Sequence, residues 1–181
     1  MTALKTELET IFQAFAGAML QHPSRLTLTL TEGGGGQGCE VAARPYNHTD
    51  KGKLIGGQAE THRAMQILLS AVAHRRGKHC RYIILPSYNE DRDANTPFVQ
   101  KEQWDCTSAM KVMDAACGAL FSDHSIKLVE DYERGGTQIQ VTAPVVSSEA
   151  MALVEWSLNK LMHAIGNAQG NRLFVTIKPT K

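Results

Sequence analysis

The chain has no Cys-x-x-Cys pair; its four cysteines, Cys39, Cys80, Cys106 and Cys117, lie far apart in the 181 residues. Scattered thiols favour reduced, packed cysteines over a disulfide framework. They also argue against structural zinc, whose tetrahedral ligands usually cluster, so no metal is expected. No stretch reaches the ~20 apolar residues that a membrane helix needs. The opening Met-Thr-Ala-Leu-Lys-Thr-Glu lacks a basic run followed by an apolar block. The expected location is therefore cytoplasmic, without a membrane partner. No Gly-Lys-Ser/Thr follows a glycine loop, and Lys53 precedes the glycines that could have formed a nucleotide cradle. Cys80 and its neighbour His79 would point to opposite faces of a strand and cannot act as a nucleophile and base. No pair of carboxylates flanks a recognisable motif, so neither enzyme activity nor a cofactor is expected.

Charge of one sign is also scarce, with a net +1 overall, but it is unevenly spread. Residues 1–86 hold ten Lys/Arg against six Asp/Glu, residues 87–105 two against five, and residues 106–181 seven of each. The basic surplus lies in the first half and fits an anionic partner there. The middle segment is acidic and dotted with Pro, Asn and Asp, as a linker would be. Hydrophobic residues make up 43% of the chain, enough to bury a core.

Periodicity then sets the order of elements. Leu8, Ile11, Phe12, Phe15 and Met19 recur at helical spacing, and Gln21-His22-Pro23 breaks that helix. Leu26, Leu28 and Leu30 alternate with threonines as in a half-buried strand, and Gly33 to Gly38 reads as a hairpin loop leading to a second strand over 39–43. Thr49 or Asp50 is placed to cap a short helix through Ile55. Gly56-Gly57-Gln58-Ala59 then leads into a long helix with Met65, Leu68, Leu69 and Val72 on its buried stripe, ended by Gly77 before a strand reaching Leu85.

The pattern then repeats. Residues 109–121 read as a helix, 126–130 and 138–143 as strands around Gly135-Gly136, 148–165 as a long helix and 174–178 as a last strand. Ser70 to Gly77 matches His163 to Gly170 position for position, and Ala16-Gly17-Ala18-Met19 matches Cys117-Gly118-Ala119-Leu120. The expected fold is α+β in two copies of helix, strand, strand, helix, helix, strand, over residues 1–86 and 106–181, joined by a linker over 87–105.

On Gln21-His22-Pro23, Gly52-Lys53-Leu54-Ile55-Gly56, Ala64-Met65 and Gly77-Lys78, the first copy resembles the type II KH domain of small bacterial RNA-binding proteins. The second copy resembles that fold alone. In each copy the resemblance implies a three-stranded sheet with helices on one face. It also implies that a Gly-x-x-Gly loop clamps single-stranded RNA in the first. Carried onto this sequence, the RNA-binding residues would be Lys51, Lys53, Ile55, Gly56, Gly57, Gln58, Ala59 and Arg63. Three departures predict weak binding. Gly57 stands where a basic residue is common, Ala59 replaces the second glycine, and Glu60 brings negative charge to a helix start that would receive phosphate. The matching positions of the second copy, Glu149-Ala150-Met151-Ala152, contain no glycine, so no RNA contact is expected there. The alternative function is a protein-interaction or assembly module on a KH scaffold that has lost RNA binding, with the second half contacting a protein or another copy. His74-Arg75-Arg76-Gly77-Lys78-His79, the densest basic cluster, is open to two readings: complementing a helix C-terminus, or contacting phosphate.

Overall fold

A computed structural model describes residues 3–32, 38–88, 106–131, 133, 135–144 and 148–180. The expected hairpin tip over 33–37 and linker residues 89–105 lie outside them. The first half runs α1 (Ala3–Met19), β1 (Thr27–Glu32), β2 (Gly38–Arg44), α2 (His48–Ile55), α3 (Glu60–Arg75) and β3 (His79–Ile84). The second runs α4 (Cys106–Leu120), β4 (Ser125–Asp131), β5 (Gly136–Ala143), α5 (Ser148–Gln169) and β6 (Leu173–Pro179). The class is α+β. Each half has a three-stranded mixed sheet in sequence order, with the first pair of strands antiparallel and the second pair parallel.

The halves differ in one element. Among the described residues, β5 and β6 are joined by the single 22-residue helix α5, where α2, a turn and α3 fill the equivalent stretch of the first half. The expected helix pair is thus not seen in the second copy. Glu149 to Ala152, which match the glycine loop, lie in the first turns of α5. Without a glycine among them, nothing interrupts the helix.

The repeat extends to hydrogen-bond detail. Gln66 on α3 caps the outer edge of β3: its Oε1 accepts from Tyr82 N at 2.6 Å and its Nε2 donates to Cys80 O at 2.8 Å. Asn159 on α5 does the same for β6, accepting from Val175 N at 2.7 Å and donating to Val175 O at 2.8 Å. Gln66 and Asn159 are 93 residues apart, as are Tyr82 and Val175, which is the shift of the matched Ser70 and His163 segments. Two edge strands that would otherwise offer free backbone for pairing are covered by side-chain amides. Both helices also end alike: Gly77 and Gly170 take left-handed φ of 65° and 74°, and the next residue donates back to Ala73 O or Gly166 O.

One hydrophobic core runs through both halves, from Leu8, Phe12 and Phe15 of α1 to Leu158, Leu161 and Ile165 of α5. Helix α1 packs on α4 and α3 on α5, so these two helices of the first half meet their counterparts in the second. Helices α3 and α5 run antiparallel, and their tightest polar link joins equivalent positions: the buried Ser157 hydroxyl donates to Ala64 O. A pseudo-twofold axis therefore passes beside Ala64 and Ser157, two small residues that let the helices approach closely.

The residue that caps α2 is neither Thr49 nor Asp50 but Asn47, whose side chain accepts from Asp50 N at 2.8 Å. Asp50 instead reaches across to the chain break after α1. Its fully buried carboxylate accepts from Gln21 N at 2.8 Å and His22 N at 3.1 Å. Arg25 then lies over the Tyr46 ring at 4.5 Å from its centroid, and His22 meets the same ring edge-on at 5.2 Å. The start of α2 is thus tied to the end of α1, which fixes the direction in which α2 carries the glycine loop.

The cysteines are free, and Cys80 and Cys117 are buried. Burial, with Asp114 nearby, pushes the Cys117 thiol up to about 12. Burial and the facing Cys39, its register partner on β2, raise Cys80 further. A neutral thiol favoured by the fold stabilises it below the ordinary thiol range, and that contribution is lost as pH rises through the folded value. Labelling the native protein with a thiol-reactive disulfide at pH 8 is expected to modify the half-buried Cys39 and Cys106 first, leaving Cys80 and Cys117 until unfolding. Asp50→Ala is expected to cost about 2 to 3 kcal/mol in urea unfolding, because two backbone donors lose a charged acceptor.

Candidate nucleic-acid interface

Between α2 and α3 the chain makes one tight turn. Helix α2 closes with Gly56 N donating to Gly52 O at 2.8 Å, and Gly56 adopts φ 74°, ψ 171°. A side chain is excluded there on two counts. The conformation belongs to glycine, and a Cβ would lie 2.2 Å from the Thr61 hydroxyl oxygen. Gly57, Gln58 and Ala59 then form an exposed turn closed by Ala59 N donating to Gly56 O at 3.3 Å, and Glu60 starts α3 in ordinary helical geometry.

Gln58 at φ 52° and Ala59 at φ 59° are the non-glycine residues with positive φ among those described. Left-handed backbone at a residue with a Cβ costs roughly 1 kcal/mol. Ala59 therefore occupies a conformation that glycine would adopt without strain. Ala59 is also the N-cap of α3 and supplies no side-chain hydrogen bond, leaving the first-turn amides of that helix without a side-chain cap. These amides and the exposed backbone of Gly57 lie at the same turn.

The other expected site residues gather around this turn. Lys51 and Lys53 are half-buried on α2, Ile55 is half-buried at its end, and Arg63 is exposed one turn into α3. Each of the eight expected residues thus lies on the turn or within about one and a half helical turns of it.

Residue order carries no sign of what the second half contributes. Lys160 of α5 pairs with Glu60 at 2.7 Å, neutralising the carboxylate at the start of α3. Trp156, one turn earlier on α5, faces the Arg63 guanidinium at 5.7 Å from its ring centroid and the Lys160 ammonium at 5.9 Å. Both distances are within cation–π range. Trp156 and Lys160 are spaced i, i+4, which puts them on one helix face, but which residues they face depends on the antiparallel packing of α5 on α3.

The basic cluster over 74–79 is largely committed to structural contacts. Arg76 pairs with Glu7, Lys78 with Glu32 at 3.5 Å, and Arg75 Nη1 donates to Ala119 O at 2.8 Å across the two halves. These contacts favour the structural reading of the cluster over a phosphate site. On the other side of the pseudo-twofold axis from Glu60 and Lys160, Ile67 and Leu153 line an apolar cleft of about 480 Å³ between the halves.

Among the described residues no three of His, Cys, Asp or Glu gather as a metal site, and no helix is long and apolar enough to cross a membrane. No family model matches the chain, and no curated protein matches it.

Ala59→Gly is expected to stabilise the protein by about 0.5 to 1 kcal/mol in chemical unfolding, since relief of left-handed strain outweighs the added freedom of the unfolded chain. Gly56→Ala is expected to destabilise it by more than that, through the clash with Thr61.

Proposed function

We propose that the chain is a non-catalytic nucleic-acid-binding protein built on two KH-like units, the first keeping the binding turn and the second having lost it. The observation that carries this reading is the backbone of Gly56 to Ala59. Two helices meet at an exposed turn with a bare glycine amide, and Ala59 is held in a left-handed conformation that glycine adopts freely. A turn whose only task was to join two helices would have no reason to keep a strained residue there. The uncapped amides at the start of α3 and the positive end of its dipole suit a phosphate backbone.

The ligand is single-stranded RNA, bound weakly at the turn formed by Gly56, Gly57, Gln58 and Ala59. Lys51, Lys53 and Arg63 provide positive charge, and Ile55 an apolar edge. Binding is salt-dependent because it rests on phosphate contacts. The second reading, an assembly module without RNA binding, draws on Leu128, Val129 and Leu153, apolar residues of the second half that remain exposed.

Fluorescence anisotropy with a pool of fluorescein-labelled 12-nucleotide single-stranded RNAs, at low and physiological salt, tests the choice. The wild type is expected to bind more tightly at low salt, and the double variant Gly56→Asp, Gly57→Asp to lose at least tenfold in affinity. Equal binding by the two proteins, or none by either, would remove the turn from the site and leave the assembly reading.

A further inference from the structure

The loop lacks a basic residue at Gly57, yet an arginine is held beside it in an arrangement that only the second half makes possible. Arg63 is exposed, and among the described residues its guanidinium makes neither a hydrogen bond nor an ion pair; it lies over the Trp156 ring. A guanidinium over an aromatic face uses its π surface and leaves its in-plane N–H donors free. Those donors match two phosphate oxygens at once. Much of the side-chain entropy that a free surface arginine loses on binding is thereby lost before the ligand arrives.

Lys160 contributes differently. Glu60 lies at the start of α3 where phosphate would bind, and unpaired it would repel that phosphate. The 2.7 Å pair with Lys160 offsets this charge, while the ammonium stays 5.9 Å from the same Trp156 ring. The second half thus supplies a platform for one cation and a counterion for one anion, both within a helical turn of Gly56 to Ala59.

We infer that the phosphate site is composite: Arg63, held over the Trp156 ring, is the phosphate-binding fork, and Trp156 and Lys160 of the second half are positioning residues without which the turn binds poorly. The inference rests on the RNA reading of the turn. It assigns the second half a part in recognition although no glycine loop survives there. The ligand group is a backbone phosphodiester flanking the nucleotides at the turn, and base identity plays no part in the contact.

The test uses the full chain and the same labelled 12-nucleotide RNA pool. Trp156→Ala is expected to weaken binding at least fivefold and Trp156→Phe less than twofold, because phenylalanine keeps the aromatic face. Arg63→Lys keeps the charge but loses the fork, and is expected to weaken binding about as much as Trp156→Ala. Arg63→Ala is expected to make the slope of log affinity against log salt shallower by about 0.7, the value for one phosphate contact on a single strand. Lys160→Met should weaken binding by exposing the charge of Glu60, and Glu60→Gln in the Lys160→Met background should restore it. Thermal melts and far-ultraviolet circular dichroism identify any variant that fails to fold, and for Trp156→Ala the Arg63 variants then carry the decision. If Gly56→Asp, Gly57→Asp abolishes binding while the Trp156, Arg63 and Lys160 variants all bind as the wild type does, the composite site is wrong and the turn reading survives. If the wild type itself binds no RNA, both fall.

Discussion

The antiparallel packing of α3 on α5 is the contact on which the rest of the molecule depends. It is centred on Ala64 and Ser157, where a small side chain on one helix and a buried hydroxyl on the other let two backbones approach with their polar groups satisfied. A larger residue at either position would force the helices apart and open the core that runs continuously through both halves. The same contact sets what lies beside the glycine turn. With the helices antiparallel about Ala64, Glu60 meets Lys160 and Arg63 meets Trp156, while Ile67 and Leu153 face the apolar cleft on the opposite side.

The two halves share a framework and differ in one segment. Gln66 and Asn159 cap equivalent edge strands with different amides, and Gly77 and Gly170 end equivalent helices with the same left-handed residue. These positions serve each half's own folding. The segment between the second and third strands is less constrained. In the first half it is two helices around a strained turn; in the second, among the described residues, it is one continuous helix, whose first turns occupy the positions equivalent to that turn. Without a left-handed turn, that segment presents an unbroken helix surface, the surface that carries Trp156 and Lys160.

Asp50 belongs to the same framework, although its position suggests a helix cap. At the third residue of α2 a carboxylate would ordinarily serve its own first turn. Here Asn47 takes that part, and Asp50 is buried against the backbone after α1. Spacing places both residues within reach of the helix start. Which of them turns inward depends on where the end of α1 lies, and that is a long-range matter.

Much of the fold was legible in local pattern. Helical periodicity marked α1, α3, α4 and α5, alternation marked the first strand, and the match of Ser70–Gly77 to His163–Gly170 gave the repeat, because periodic burial and a required left-handed glycine leave direct traces in residue order. Glycines before a helix likewise marked the turn at Gly56. The pairing of Trp156 with Arg63, of Lys160 with Glu60 and of Cys39 with Cys80 left no such trace. Those contacts join residues 93, 100 and 41 positions apart. They exist because two amphipathic helices pack antiparallel and two strands pair in parallel, geometry that a chain acquires only when its apolar faces find each other. The sequence by itself determined the elements, their repetition and the turn. Tertiary packing decided which charges stand beside that turn, since partner choice between distant segments is set by how their buried faces fit.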